Sequence, residues 1–349
     1  QGNLCLPQNW QGNCALPRGA VGNEIAILSP VRPDGKLTTL HTPAGNRFVG
    51  DIDLHFDADR LLFSMPGEHN RFQVWEIRTD GTGLRQITKT EPDVDNYDAC
   101  YLPNGKIVYD STAVMQGVPC VGGGNTVANL YLTDADGSMR RRLCFDQDHD
   151  WCPTVLPDGR VMYSRWEYSD APHYVSRLLF KMNPDGTGQS ELYGSNSYWP
   201  NSTFYARPVP GAPGRVAAIV SGHHGVPRMG ELIVFDTAQG QRENEGVVRR
   251  IPGRGRPVPA KIGDGIVDGS QPKFLHPFPL SDKYFIVSAS VQGQWGIYLV
   301  DAFDNIVPVH TLAGSALLEP VPLRRVPSPP VIPDRIDPRR KDADVYIAD

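Results

Sequence analysis

The sequence predicts an all-β fold, a six-bladed β-propeller closed by strands from both termini, with seven blades as the alternative. Three observations carry that reading. A phrase of four short apolar runs recurs along the chain, each copy has glycine turns at matching places, and no long amphipathic helical pattern interrupts them. The first copy, Asp53 to Thr88, runs Arg60-Leu61-Leu62-Phe63-Ser64, Val74-Trp75-Glu76-Ile77, the turn Asp80-Gly81-Thr82-Gly83, then Leu84-Arg85-Gln86-Ile87. The second has Leu102-Pro103-Asn104-Gly105, Ile107-Val108-Tyr109, Asn129-Leu130-Tyr131-Leu132, Asp134-Ala135-Asp136-Gly137 and Arg141-Arg142-Leu143. The third has Leu156-Pro157-Asp158-Gly159, Val161-Met162-Tyr163, Leu178-Leu179-Phe180 and Asp185-Gly186-Thr187-Gly188. One such sheet cannot bury both of its faces alone, so the copies must stack.

Complete copies begin near Gly50, Asn96, Asp150, Tyr205 and Lys273. A half copy opens the chain at 24–28 and 37–40, around the turn Pro33-Asp34-Gly35-Lys36. A complementary half closes it at 318–323 and 330–332. Joined, the two halves make a sixth blade and remove the open sheet edges of the ring. The insertion at 239–270 is long enough to hide the extra strand pair that a seventh blade needs. The expected organisation is an N-terminal extension at 1–22, a propeller at 23–326 and a proline-rich tail or linker at 327–349. Val345-Tyr346-Ile347 would start a further strand, which suits a piece of a longer protein.

Composition narrows the function classes. Gly 35 and Pro 32 favour short strands and turns. The net charge of -5 gives no broad basic surface, which argues against nucleic acid as a partner. Arg140-Arg141-Arg142 and the cluster Arg249, Arg250, Arg254 and Arg256 are local and read as solvated loops. No run approaches the roughly 18 apolar residues of a membrane span. The chain opens on Gln1 rather than Met, as after removal of a signal peptide or an upstream domain. Six cysteines fit an oxidising compartment, so the expected location is periplasmic or extracellular. Cys5 and Cys14, and Cys144 and Cys152, lie close enough in sequence to pair. No Cys-x-x-Cys-His is present, so no covalent haem is expected on this chain.

Counting back from the glycine turns aligns Ile52, Asp98, Cys152, Arg207 and His276, with Glu319 from the terminal half. First strands line a propeller's channel, so these six positions should form a ring. Asp98, Cys152, His276 and Glu319 together form a candidate divalent-metal set, with thiolate and imidazole favouring zinc. The simpler reading is a polar channel in which Arg207 pairs with Asp98 or Glu319. A disulfide between Cys152 and Cys144 would remove the thiolate ligand.

One rim collects the unusual loops and is the expected binding face. Its candidate residues are His149, Asp150, Glu167, His173, Trp199, His223, His224 and Arg228. The histidines can serve as metal ligands, general bases, contacts to a partner, or bonds to loop backbone. The opposite rim carries plain turns at Asp34, Asn104 and Asp158. Asp134-Ala135-Asp136-Gly137 lacks the distal Glu of a calcium loop and reads as a hairpin turn. No serine elbow, phosphate loop or dinucleotide fingerprint occurs, and no catalytic residue is assigned.

The repeats resemble the TolB-type, WD40-like repeat family. Several runs are more specifically similar to the propeller region of the hydrazine synthase alpha subunit and its relatives. They are Asp146 to Trp151, Arg165-Trp166-Glu167-Tyr168, Tyr193 to Ser202, Ser221-Gly222-His223-His224-Gly225, Phe274-Leu275-His276-Pro277 and Pro330 to Arg335. The resemblance implies an extracytoplasmic propeller beside haem-bearing domains or subunits, in a multihaem enzyme that joins nitric oxide and ammonia into hydrazine. Two other readings stand beside it. One is a carbohydrate-active propeller lyase or hydrolase with a metal-assisted rim, for which only Glu167 and Asp170 offer paired acids. The other is a structural surface or filament protein.

Overall fold

The computed structural model describes residues 4–168, 177–194, 196–337 and 339–342. His173, Asp170, Ser195 and the run at 345–347 lie outside the described residues. Among those described there are 22 β-strands and five single-turn 3-10 helices, and no α-helix. The chain is all-β. Among the described residues no helix is long and apolar enough to cross a membrane.

A two-stranded hairpin comes first, β1 (Ile25–Ser29) with β2 (Lys36–His41). Five four-stranded antiparallel meanders follow. They are β3 (Gly50–Leu54), β4 (Arg60–Pro66), β5 (Phe72–Arg78) and β6 (Arg85–Gln86); then β7 (Asn96–Tyr101), β8 (Ile107–Ser111), β9 (Asn129–Thr133) and β10 (Arg141–Arg142). The third has β11 (Asp150–Val155), β12 (Val161–Trp166), β13 (Arg177–Met182) and β14 (Ser190–Tyr193). The fourth has β15 (Ser202–Pro208), β16 (Arg215–Ser221), β17 (Glu231–Asp236) and β18 (Val247–Ile251); the fifth has β19 (Lys273–Pro279), β20 (Tyr284–Val291), β21 (Gln294–Asp301) and β22 (Ile306–Thr311). Four of the five begin at the residue where the repeat was read to begin. The third and fourth are also joined by a parallel pair, Arg177 with Ser202.

The core is a series of apolar layers, each shared by neighbouring sheets. Leu62, Val74, Tyr101 and Ile107 join the first sheet to the second, and Val108, Leu130, Val161 and Phe180 the second to the third. Met162, Leu179, Ala218 and Phe235 join the third to the fourth, and Ile219, Leu232, Phe285 and Val300 the fourth to the fifth. The hairpin packs Ile25 and Leu40 against Leu61, Phe63 and Ile77 of the first sheet. The first four sheets therefore bury both faces through their neighbours, as the repeat required.

The terminal halves behave unequally. The N-terminal one forms β1 and β2, whereas 318–323 and 330–332 carry no strand. Pro320, Pro322, Pro329 and Pro330 lack the N–H that a ladder needs. The segment instead crosses the side of the plain turns. Val326 N–H donates to Phe56 O at 2.9 Å, Arg335 N–H to Asp185 Oδ2 at 2.7 Å, and Arg141 pairs with Asp334 at 3.1 Å. Gly159, at φ +88°, lies so close to Pro330 O that a Cβ would collide with it. Gly159→Ala is therefore expected to lower stability by about 1–3 kcal/mol in urea unfolding and to speed tryptic cleavage after Arg335. Unchanged cleavage would show that the tail is not held there.

Candidate functional site

Each innermost strand is interrupted at one place by a bulge. The ladder breaks between Gly50 and Asp53, Tyr97 and Cys100, Trp151 and Thr154, Phe204 and Arg207, and Leu275 and Phe278. At each break one residue turns left-handed: Asp51 (φ 58°), Asp98 (47°), Cys152 (53°), Tyr205 (53°) and His276 (45°). Glu319, in the C-terminal segment, does the same at 54°. Positive φ costs such residues of order 1 kcal/mol each, so its repetition reports a shared requirement. The bulge aims one side chain at the axis and frees backbone N–H groups from the ladder.

Those freed N–H groups are taken by the neighbouring ring side chain. Ile52 N–H donates to Glu319 Oε2 at 2.8 Å, and Cys152 N–H to Asp98 Oδ2 at 3.0 Å. Asp98 N–H donates to Ser64 Oγ at 2.9 Å and also acts on Asp51. Tyr205 N–H reaches the Cys152 thiol, and the Tyr205 and His276 rings stand 4.3 Å apart. The ring thus contains Asp98, Cys152, His276 and Glu319 as expected, but Asp51 and Tyr205 replace Ile52 and Arg207. Turn length explains both errors. From the residue after the bulge to its partner the spacing is eight in Cys100–Val108, Thr154–Met162 and Phe278–Ile286. It is nine in Asp53–Leu62 and ten in Arg207–Ala217. A fixed count from the turn therefore slips by one and by two. Arg207 pairs instead with Asp53 at 3.8 Å and lies over the Phe278 ring.

The ring borders a small cavity of about 60 Å³ with Asp51, Asp98, Tyr205, Arg207, His276 and Glu319 in its wall. Burial, then the charge of Asp51, pushes Asp98 up to about 7, and the same two causes raise Glu319 to about 7. Burial and the charges of Arg207 and Arg228 bring His276 down to about 3, so it is neutral at pH 7. Burial raises the Cys152 thiol well above its usual value. Cys14, Cys100, Cys120, Cys144 and Cys152 are free thiols, and Cys144 contacts Met182 Sδ at 3.9 Å. Among the described residues, ligand atoms lie within 4.8 Å of one another in His223, His224 and Asp264 and in Cys144, Asp146 and Asp150. The four ring candidates do not form such a group.

The rim is closed rather than open. The segment at 5–16 lies over it: Asn9 Nδ2 donates to Ser221 Oγ and Gly222 O at 2.9 and 2.8 Å, and Asn13 Nδ2 to Asp51 Oδ1 at 2.8 Å. Arg228 is buried beneath, donating to Asn13 Oδ1 and Gln11 O, with its guanidinium 5.2 and 5.0 Å from the Trp151 and Phe204 rings. His149 is 0% exposed, accepts from Ala128 N–H at 3.2 Å and stacks on Trp151; burial brings it down to about 3. Asp150 is buried against Arg165 at 3.3 Å, and Arg165 also holds Asp146 and Glu167. Trp199 is buried against Phe235, its N–H donating to Glu243. His223 pairs through Nδ1 with Arg177, while half-exposed His224 pairs with Asp264 at 3.3 Å.

Sequence reasoning missed Asp51, Tyr205, Arg177 and the capping asparagines. A signal for the ring was present. Asp98-Ala99, Cys152-Pro153, Tyr205-Ala206, His276-Pro277 and Glu319-Pro320 each place Ala or Pro after the left-handed residue, although Arg207-Pro208 fits the same pattern.

No protein-family model and no curated protein matches the chain. Among solved structures it is similar to Kuenenia stuttgartiensis hydrazine synthase, at 16% identity and TM-score 0.69 over 85% of this chain and 43% of that one. It is also similar to TolB from Acinetobacter baumannii (9% identity, TM-score 0.55, 85% of this chain and 65% of that one). A third match is the tricorn protease (13% identity, TM-score 0.51, 78% and 23%). The chain thus spans less than half of the hydrazine synthase chain. These likenesses show a TolB-like β-propeller fold.

The ring's titration has a sign. Asp98 is raised from 3.8 to about 7, so its neutral form is favoured on folding. Stability from that preference is present below pH 3.8 and is lost as pH rises to about 7. Asp98→Asn keeps an acceptor for Cys152 N–H. It should raise stability at pH 8 by about 1–4 kcal/mol and by less at pH 5. Equal changes at both pH values in urea unfolding would contradict the assignment.

Proposed function

We propose that this chain is a six-bladed, extracytoplasmic propeller that serves as a rigid scaffold domain in a larger, multihaem redox assembly of the hydrazine synthase alpha type. The observation that carries the scaffold is the ring. Its polar side chains are committed to the backbone of the next inner strand, with Glu319 from the C-terminal segment accepting from Ile52 of the first sheet. That bond joins the two ends of the chain, and the hairpin with the 318–323 segment stands as the sixth blade. The rim supports the same reading, because His149, Asp150, Trp199 and Arg228 are buried in packing and ion pairs. The assembly, its location outside the cytoplasm and its redox character rest on the sequence runs together with the likeness to hydrazine synthase.

Asp98, Cys152 and Glu319 each accept from a backbone N–H of a neighbouring strand, so we assign the ring to holding blades together rather than to zinc. Wild-type chain and Cys152→Ser are expected to contain the same amount of zinc by elemental analysis, and neither should give a pyridine haemochrome signal. Loss of one zinc in the variant would restore the metal reading, and a haemochrome signal would overturn the scaffold. Glu319→Ala removes the acceptor at the seam. It should cost about 1–3 kcal/mol and speed hydrogen exchange at the Ile52 amide. Unchanged exchange at Ile52 would show that the ends are not joined there.

A further inference from the structure

Buried polar atoms without partners gather at the rim where the third and fourth sheets meet. Arg177 opens β13 there, its backbone N–H donating to Asn201 O at 2.9 Å, and its side chain is 0% exposed. The guanidinium carbon stands 4.3 Å from the Trp166 ring centroid, and Nη1 donates to His223 Nδ1 at 2.6 Å. Nε and Nη2 have no hydrogen-bond partner. Those two N–H groups form one edge of the guanidinium, and their spacing matches the two oxygens of a carboxylate. A buried donor edge left empty costs about 1–3 kcal/mol per group, so something polar belongs against it.

The surroundings define what that is. Asp148 is 1% exposed, with the Tyr168 backbone N–H acting on its carboxylate, and the buried Asn201 Oδ1 is unpartnered. Asp148 and Arg177 lie close enough to act on each other's charge. Because Arg177 can only donate, His223 Nδ1 accepts, and the neutral ring carries its proton on Nε2. His223 is therefore a donor in this neighbourhood rather than a metal ligand, although His223, His224 and Asp264 stand together. Solvent-facing groups stand nearby: the His224 and Asp264 side chains are 48% and 68% exposed, and exposed Cys120 lies within electrostatic reach of Arg177.

We propose that this place binds a small carboxylate, held side-on by Arg177 Nε and Nη2, with Asp148 and Asn201 accepting from a hydroxyl or amine on the same molecule. The site does not rest on the scaffold reading, since nothing in it belongs to the ring.

The test follows the Arg177 Nε–H signal in the whole chain labelled with nitrogen-15 arginine. Trp166→Phe identifies the peak, because it removes the indole ring current on the guanidinium. Sodium acetate should shift the peak saturably, while sodium chloride at the same ionic strength should not. Arg177→Lys keeps the charge but loses the fork, and should weaken acetate binding by about tenfold or more in calorimetry. Glycolate, which adds a hydroxyl, should bind more tightly than acetate in the wild type, and Asp148→Ala should remove that advantage. Saturation by inorganic phosphate but not acetate would overturn the carboxylate class. A peak that moves with neither salt would mean that water fills the edge, and would end the proposal. The wild-type titration decides the matter even if Arg177→Lys fails to fold.

Discussion

The structure depends on one backbone constraint, the left-handed bulge repeated in each innermost strand. A regular ladder would direct the Asp98 and Cys152 side chains along the pleat and keep every N–H within its own sheet. The bulge breaks the ladder, turns one side chain towards the axis and leaves N–H groups looking for acceptors. They find acceptors on the neighbouring sheet, in ring side chains such as Asp98 and in Ser64. Strain in one sheet thus becomes a bond to the next, and apolar layers farther out hold the same sheets together by area.

The price of that device is electrostatic. Burial raises Asp51, Asp98 and Glu319 alike, and the charge of Asp51 raises Asp98 and Glu319 further. Arg228 is the buried cation that acts against this, and it lies under the N-terminal segment, donating to Gln11 O and Asn13 Oδ1. The same Asn13 donates to Asp51. The cap over the rim is therefore part of the charge balance of the ring.

Much of the fold was legible because glycine turns and alternating apolar runs are local signals. The starts of the meanders at Gly50, Asn96, Asp150 and Lys273 could be read without tertiary information. The ring was legible only where turn length is constant. Asp98, Cys152 and His276 came out in register, while Asp51 and Tyr205 were displaced by the longer turns after them. Burial of the rim was not legible, since nothing local in Gln147-Asp148-His149-Asp150 says that residues 5–16 will lie above it. The proline-rich run from Pro327 suggested an extended tail or linker, but 318–323 and 330–332 were read as strands although Pro320, Pro322 and Pro330 lack the N–H that a ladder needs.

Asp51 joins these parts. Its oxygens meet the Asn13 side chain of the cap, its charge repels Asp98 and Glu319, and its own bulge frees the Ile52 N–H that Glu319 accepts. Cap, ring and C-terminal segment therefore meet at one carboxylate rather than at three separate contacts. A change at any of them alters the field felt by the other two, so their energies should not add. The Arg177 edge lies outside this network, on rim loops between the third and fourth sheets. That separation lets a rigid interior coexist with a buried donor edge that has no partner of its own.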